Sequence, residues 1–161
     1  MVRLCEPGDD DVFLDPMCGA GTILIERGEH GRYAQLLGGD IRPEAIAATL
    51  TNVGPRYKPI EVREWDAGNL PLKDGGIDRV VCNLPFGKKV GEPWEMRTLY
   101  ERFAAELARV LKGGGVVVLL TSERKLLQEV LSTSEALYME RLIPVEVLGQ
   151  AAFFFKLKKI I

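Results

Sequence analysis

Apolar positions along this chain fall into two rhythms that take turns: short dense runs, and longer stretches spaced at three and four residues. The first rhythm predicts strands and the second helices. Asp11 to Asp15 is a short apolar strand ending on an acid; Gly19 to Gly21 turn the chain, and Thr22 to Glu26 open a helix. A second strand, about Ala34 to Asp40, again ends on an acid. Pro43 starts the next helix, a position where its missing N–H costs nothing, and Ile46, Leu50 and Val53 fall on one face of it at helical spacing. Ile60 to Trp65 alternates apolar and polar residues and reads as a third strand, ending before Asp66. Ile77 to Cys82 is a dense fourth strand that runs into Asn83, Leu84, Pro85, Phe86 and Gly87.

A long amphipathic helix is predicted over about Pro93 to Leu111, with Leu99, Phe103, Leu107 and Leu111 as its stripe and Lys112 and Gly113 closing it. Val116 to Leu120 is apolar throughout, as expected of a strand covered on both faces, and Glu123 to Leu131 reads as a helix. Leu137 to Leu148 and Ala151 to Lys158 are both strand-like and are separated only by Gly149 and Gln150. So short a connection permits an antiparallel hairpin and forbids a parallel crossover. The order is that of βα units followed by a hairpin: a mostly parallel α/β sheet with one reversed strand.

With 161 residues, 47% of them apolar, the chain has material for one core and one domain. Charged residues make up 27% and the formal net charge is −2. A free-standing nucleic-acid binder carries a basic excess, so any RNA substrate would draw much of its phosphate attraction from outside this chain. The first strand follows only Met1 to Asp10, which fits the C-terminal part of a longer protein. Cys5, Cys18 and Cys82 are far apart with only His30 to help, so they read as buried thiols in a reducing compartment rather than a metal site or disulfide framework. No signal peptide opens the chain and no apolar run reaches membrane-spanning length, so no membrane partner is expected and the domain reads as cytoplasmic.

The chemistry concentrates at strand ends. Gly19 and Gly21 let the backbone approach a ligand, and the helix that follows turns its free N–H groups to the same spot. A dinucleotide fingerprint would want a third glycine where Leu24 stands, which weakens a nicotinamide reading. Asp40 follows Gly19 at about the spacing (~20 residues) at which an acid meets a ribose in doubly wound folds. Asp66, ending the third strand, is placed to accept from an adenine amino group. The candidate cofactor contacts are Asp15, Pro16, Cys18, Gly19, Gly21 and Thr22 at the first strand, Asp40 and Ile41 at the second, Asp66 and Ala67 at the third, and Asn83 at the fourth.

Asn83 to Phe86 suit methylation of an sp² amine. Such an amine is a poor nucleophile because its lone pair is delocalised into the ring. The Asn83 side-chain oxygen and the Leu84 carbonyl can accept its hydrogens and draw it toward tetrahedral geometry facing a methyl donor. Pro85 fixes the local backbone, Phe86 can stack on an exposed base, and Gly87 lets the chain turn away.

The segments Asp15 to Thr22 and Asn83 to Gly87 together resemble the class I methyltransferase domain of the THUMP-associated RNA guanine-N2 methyltransferases, the tRNA-modifying group. The resemblance covers essentially the whole chain. It implies a Rossmann-like, seven-stranded sheet in the order 3-2-1-4-5-7-6 with strand seven antiparallel and helices on both faces. It also implies S-adenosyl-L-methionine as methyl donor and N2 of a tRNA guanosine as acceptor. The cofactor loop falls on Asp15, Gly19 and Gly21, the ribose acid on Asp40, the adenine contact on Asp66 and the catalytic motif on Asn83 to Phe86. The family's N-terminal RNA-binding domain lies outside this chain, as does most of the helix before strand one, of which Met1 to Cys5 read as the stump. Leu84 stands where many relatives in the wider class carry a second proline.

Other readings stay open on residues alone. Adenine-N6 DNA and glutamine-amide protein methyltransferases use the same Asn-x-Pro-aromatic chemistry, and a module that binds cofactor without turnover could serve in assembly or RNA docking. Lys88, Lys89, Arg97 and Arg102 are either phosphate contacts or a solvated face. Trp94 is either a base platform or a packing residue, and Phe153 to Phe155 read as core. Methyl transfer to an amine needs neither a thiol nor a metal.

Overall fold

A computed structural model describes residues 1–86 and 92–161. Gly87, Lys88 and Lys89, named above, lie outside the described residues. The strands are β1 (Val12–Asp15), β2 (Gln35–Asp40), β3 (Ile60–Glu64), β4 (Ile77–Asn83), β5 (Leu111–Thr121), β6 (Leu137–Val147) and β7 (Gln150–Lys159). The helices are α1 (Thr22–His30), α2 (Pro43–Val53), α3 (Pro93–Val110) and α4 (Arg124–Ser132), preceded by a 3-10 turn over Val2–Cys5.

All seven strands form one sheet in the order β3-β2-β1-β4-β5-β7-β6. Pairing is parallel from β3 through β5 and antiparallel at β5–β7 and β7–β6, as the hairpin required. Successive side chains of a strand point to opposite faces, and the core divides accordingly. Leu14, Val80, Cys82, Val117 and Leu119 face α3 and α4, while Phe13, Val81, Val116 and Val118 face the 3-10 turn and α1. Burial on both faces explains why β4 and β5 read as continuous apolar runs. No helix among the described residues is long and apolar enough to cross a membrane.

Several sequence expectations need correcting. The buried face of α2 is Ala45, Thr49 and Val53, with Ile46 only half-buried and Leu50 54% exposed. Small residues line this face because the helix lies against the glycine turn: a Cβ on Gly21 would meet Thr49. α3 ends at Val110, one residue early, because Leu111 already adopts extended geometry while its N–H still caps Leu107 O. Lys112 to Gly115 then form a bulge, the register with β4 jumping from Ile77↔Leu111 to Arg79↔Val116. The hairpin turns on Leu148 and Gly149, not on Gly149 and Gln150; both central residues have positive φ, 50° and 77°, the pair of values a two-residue turn of this hand demands.

The largest of the buried charged side chains is one that no sequence pattern marks. Arg27 of α1 is 1% exposed, lies over the Phe13 and Tyr33 rings, and donates to the carbonyls of Gly8, Gly31 and Arg32. It ties α1 to the loops on either side of it.

Candidate active site

The carboxyl ends of β1, β2, β3 and β4 lie along one sheet edge, and Asp15, Asp40, Asp66 and Asn83 are all there. Ligands of open α/β sheets bind at this edge. The turn between β1 and α1 is held from three sides. Cys18 N–H donates to Gly39 O at 2.8 Å, Thr49 Oγ1 donates to Gly19 O at 2.8 Å, and Asn52 Nδ2 donates to Ala20 O at 2.9 Å. Trp65, buried at the end of β3, donates its indole N–H to Pro16 O at 3.0 Å. Gly19 and Gly21 take φ of 53° and 87°, values that carry no steric penalty only in glycine. Thr22 starts α1, so the amides of its first turn open on the same edge.

Thr49, Asn52 and Trp65 were not singled out from the sequence. A buried threonine on a helix face and a tryptophan one residue before Asp66 were the available signals. Gly39 is part of the same arrangement, because a Cβ there would fall inside the Trp65 indole. Gly39→Ala is expected to destabilise the domain by about 3 kcal/mol through overpacking, measured as a shift in urea midpoint at constant slope.

The acids differ in how far the protein already satisfies them. Asp40 Oδ2 accepts Gly19 N–H at 3.0 Å, and Oδ1 accepts the backbone N–H and Nε of Arg42. An ionised carboxylate has about four acceptor positions, so this one keeps room for a ligand donor. Asp66 accepts Gly68 N–H at 2.8 Å and pairs with Arg102 at 2.8 Å. Asp15 is 1% exposed; its Oδ1 accepts Met17 N–H, and its Oδ2 is buried with no partner among the described residues. Burial, reinforced by the nearby Asp40 charge, pushes the Asp15 carboxyl up to about 8. Cys18 and Cys82 are buried free thiols beside these acids, and burial raises both, to about 11 for Cys18. Neither supplies a thiolate near neutral pH.

Asn83 closes β4 with an exposed side chain that makes no hydrogen bond among the described residues. Leu84 behind it is 2% exposed, and its N–H donates to Leu120 O at 2.9 Å. Pro85 and Phe86 are half-buried. Ala67 is buried beside Asp66, and Ile41 is 65% exposed beside Asp40.

The arginines offered as phosphate contacts are otherwise engaged. Arg102 holds Asp66, and Arg97 pairs with Glu129 and Glu101. Trp94 is 66% exposed, so it is not a packing residue. Phe155 is fully buried, whereas Phe153 and Phe154 are half-buried, Phe153 beneath the Arg124 guanidinium. A groove of about 330 Å³, lined by Val12, Gln35, Arg63 and Ile77 among others, lies at the starting ends of the strands, away from these acids.

A sheet of this order with its last strand reversed, a glycine turn after β1 and acids along the carboxyl edge define a class I methyltransferase domain. The family model described as UPF0020, RMKL-like methyltransferase domain, matches residues 1–148, and the chain belongs to that family. It is 35% identical over 146 residues to the mouse tRNA (guanine(6)-N(2))-methyltransferase THUMP3, covering 82% of this chain and 29% of that protein. It is also 35% identical over 126 residues to the bovine U6 snRNA (guanine-N(2))-methyltransferase THUMPD2, covering 76% of this chain and 24% of that protein. The crystal structure of TrmN from Thermus thermophilus superposes with a TM-score of 0.88 at 25% identity, over 99% of this chain and 47% of that one. The chain thus spans less than a third of the length of these curated relatives.

Proposed function

We propose that this domain transfers a methyl group from S-adenosylmethionine to the exocyclic N2 of a guanine in RNA, a tRNA guanosine first among candidates. The observation that carries the reading is the exposed Asn83 amide, bonded to none of the described residues, on the same sheet edge as the glycine turn and Asp40. The relatives named as guanine-N2 methyltransferases acting on tRNA and on U6 snRNA favour guanine over adenine or a protein amide as the acceptor.

The residues present fit such a cofactor. The buried, unpartnered Asp15 Oδ2 is an acceptor that a ligand donor would satisfy, and the glycine at 19 leaves open space where a side chain would stand. Asp40 is the residue for the ribose hydroxyls and Asp66 the residue for the adenine amino group. Pro16, Cys18, Gly21, Thr22, Ile41 and Ala67 form the surrounding walls. When bound, the cofactor supplies an electrophilic methyl on a sulfonium. Asn83 Oδ1 and the Leu84 carbonyl then accept the two hydrogens of the target amine, which localises its lone pair on nitrogen. The methylated nitrogen, now cationic, then loses its extra proton to water, which restores the neutral amine. Phe86 stacks on the base once it is turned out of its helix or loop.

Residues 1–161 act on this reading as the catalytic part of a longer cytoplasmic protein. A net charge of −2, with Arg97 and Arg102 tied up in ion pairs, leaves RNA capture to a further segment or partner.

Calorimetric titration with S-adenosylmethionine, S-adenosylhomocysteine and NAD tests the cofactor. The two methionine-derived ligands are expected to bind, and Asp40→Ala to weaken them about 100-fold, the loss of a hydrogen bond to a charged group. Binding of NAD alone would overturn the reading. Transfer of tritiated methyl to tRNA and to U6 RNA, followed by digestion to nucleosides, tests the acceptor: the label is expected in N2-methylguanosine, and label in methyladenosine would refute the guanine assignment.

A further inference from the structure

Tyr100 stands on α3, fully buried, with its hydroxyl directed at the end of β4. Its Oη lies 2.7 Å from Thr121 Oγ1 and 3.4 Å from the Pro85 carbonyl oxygen. Thr121, also fully buried, accepts the N–H of Glu123 at 3.0 Å. Each hydroxyl carries one proton, and a buried proton with no acceptor is costly. Among the described residues Thr121 Oγ1 touches Tyr100 Oη and the Glu123 N–H, and since an N–H only donates, Tyr100 is the acceptor left for the Thr121 proton. The Thr121 proton therefore goes to Tyr100, and the Tyr100 proton goes to Pro85. The hydrogen bonds run in one direction, from Glu123 N–H through Thr121 and Tyr100 to the Pro85 carbonyl. Burial also pushes the Tyr100 phenol up to about 12, so it stays a donor throughout the working pH range.

This chain grips the segment that follows Asn83 at its second point. The first is Leu84 N–H, held by Leu120 O at 2.9 Å. Between the two grips lies the Leu84 carbonyl, joined to a proline whose φ is fixed by its ring. With an N–H anchored on one side and a C=O on the other, the intervening peptide plane has little freedom to rotate. The Tyr100 contact, at 3.4 Å, is the longer and softer of the two grips.

We propose that Tyr100 is a positioning residue for methyl transfer: through the Pro85 carbonyl it holds the Leu84 carbonyl at the angle from which that oxygen accepts a hydrogen of the target amine. The inference rests on Asn83 and Leu84 being the acceptors of that amine. Tyr100 itself touches neither substrate nor cofactor, so its removal changes the rate of a bound complex rather than the binding of its parts.

The test is initial-rate methyl transfer by the full protein to tRNA isolated from cells that lack it, run beside binding of S-adenosylhomocysteine. Tyr100→Phe keeps the ring in the core and deletes the hydroxyl. It is expected to lower kcat about 10- to 30-fold, with the KM for S-adenosylmethionine and the Kd for S-adenosylhomocysteine within about twofold of wild type. Phe103→Leu, on the same helix and 1% exposed, matches it as a core substitution without touching the Pro85 contact, and is expected to keep kcat within about twofold. An unchanged kcat in Tyr100→Phe would overturn the proposal. Equal losses in the two variants, or a parallel loss of S-adenosylhomocysteine binding, would reduce Tyr100 to core packing and overturn it as well. A wild-type protein that methylates none of this RNA, or an Asn83→Ala variant as active as wild type, would instead bring down the reading beneath it.

Discussion

Replacing Asn83 with alanine is expected to slow methyl transfer by about 10³-fold, roughly 4 kcal/mol of transition-state stabilisation, while S-adenosylhomocysteine binds within a few-fold of wild type. The reason lies in what the side chain does and does not hold. It is exposed at the end of β4 and bonds to no other described residue, so its loss leaves the fold nearly untouched. The Leu84 carbonyl remains, but a single acceptor cannot orient both hydrogens of the amine, and the lone pair is left conjugated with the ring. Asn83→Asp keeps an acceptor oxygen at the same place and is expected to fall between the two. An order of wild type, Asp, Ala in single-turnover rate would support an acceptor role. Equal rates for wild type and alanine would remove Asn83 from the mechanism.

Asp15→Asn is expected to make the domain more stable at alkaline pH, on the order of a few kcal/mol at pH 8.5. Asp15 ionises near its ordinary value of 3.8 in the unfolded chain and near 8 when folded, where burial and the Asp40 charge oppose the carboxylate. The folded state thus holds this proton more tightly. The stability it confers is complete below about pH 4, declines as the pH rises toward 8, and is lost above that. An asparagine accepts Met17 N–H as the carboxyl does and has no charge to bury. Urea unfolding of both proteins at pH 5, 6.5 and 8.5 reads the effect as a gap that widens with pH. Parallel stability curves would mean that Asp15 ionises without hindrance in the folded protein.

The same acid shows what kind of information the sequence carried. Asp15, Asp40 and Asp66 were legible as strand ends because dense apolar runs stop at or just before them, and the sheet order then places strand ends on one edge. The reversed β7 was legible from the shortness of its connection. The supports of the glycine turn were not, since Thr49, Asn52 and Trp65 reach it from 30 to 49 positions away by single hydrogen bonds that no periodicity marks. For the same reason the apolar spacing of α2 does not pick out the set it buries: Ile46 and Leu50 are its larger apolar residues, but Ala45 and Thr49 are small enough for the face against the turn. Arg102 looked like a free cation until α3 was laid beside the end of β3, where it meets Asp66.

The reversed direction of β7 also decides where this polypeptide can be handled. After the hairpin the chain runs back to the edge from which the parallel strands start, and Ile161 comes to rest beside Gly113. A fluorophore or a surface tether attached there stands roughly 20 Å from Asn83, the length of β4. A tether at Ile161 leaves the glycine turn and Asn83 at the opposite edge of the sheet.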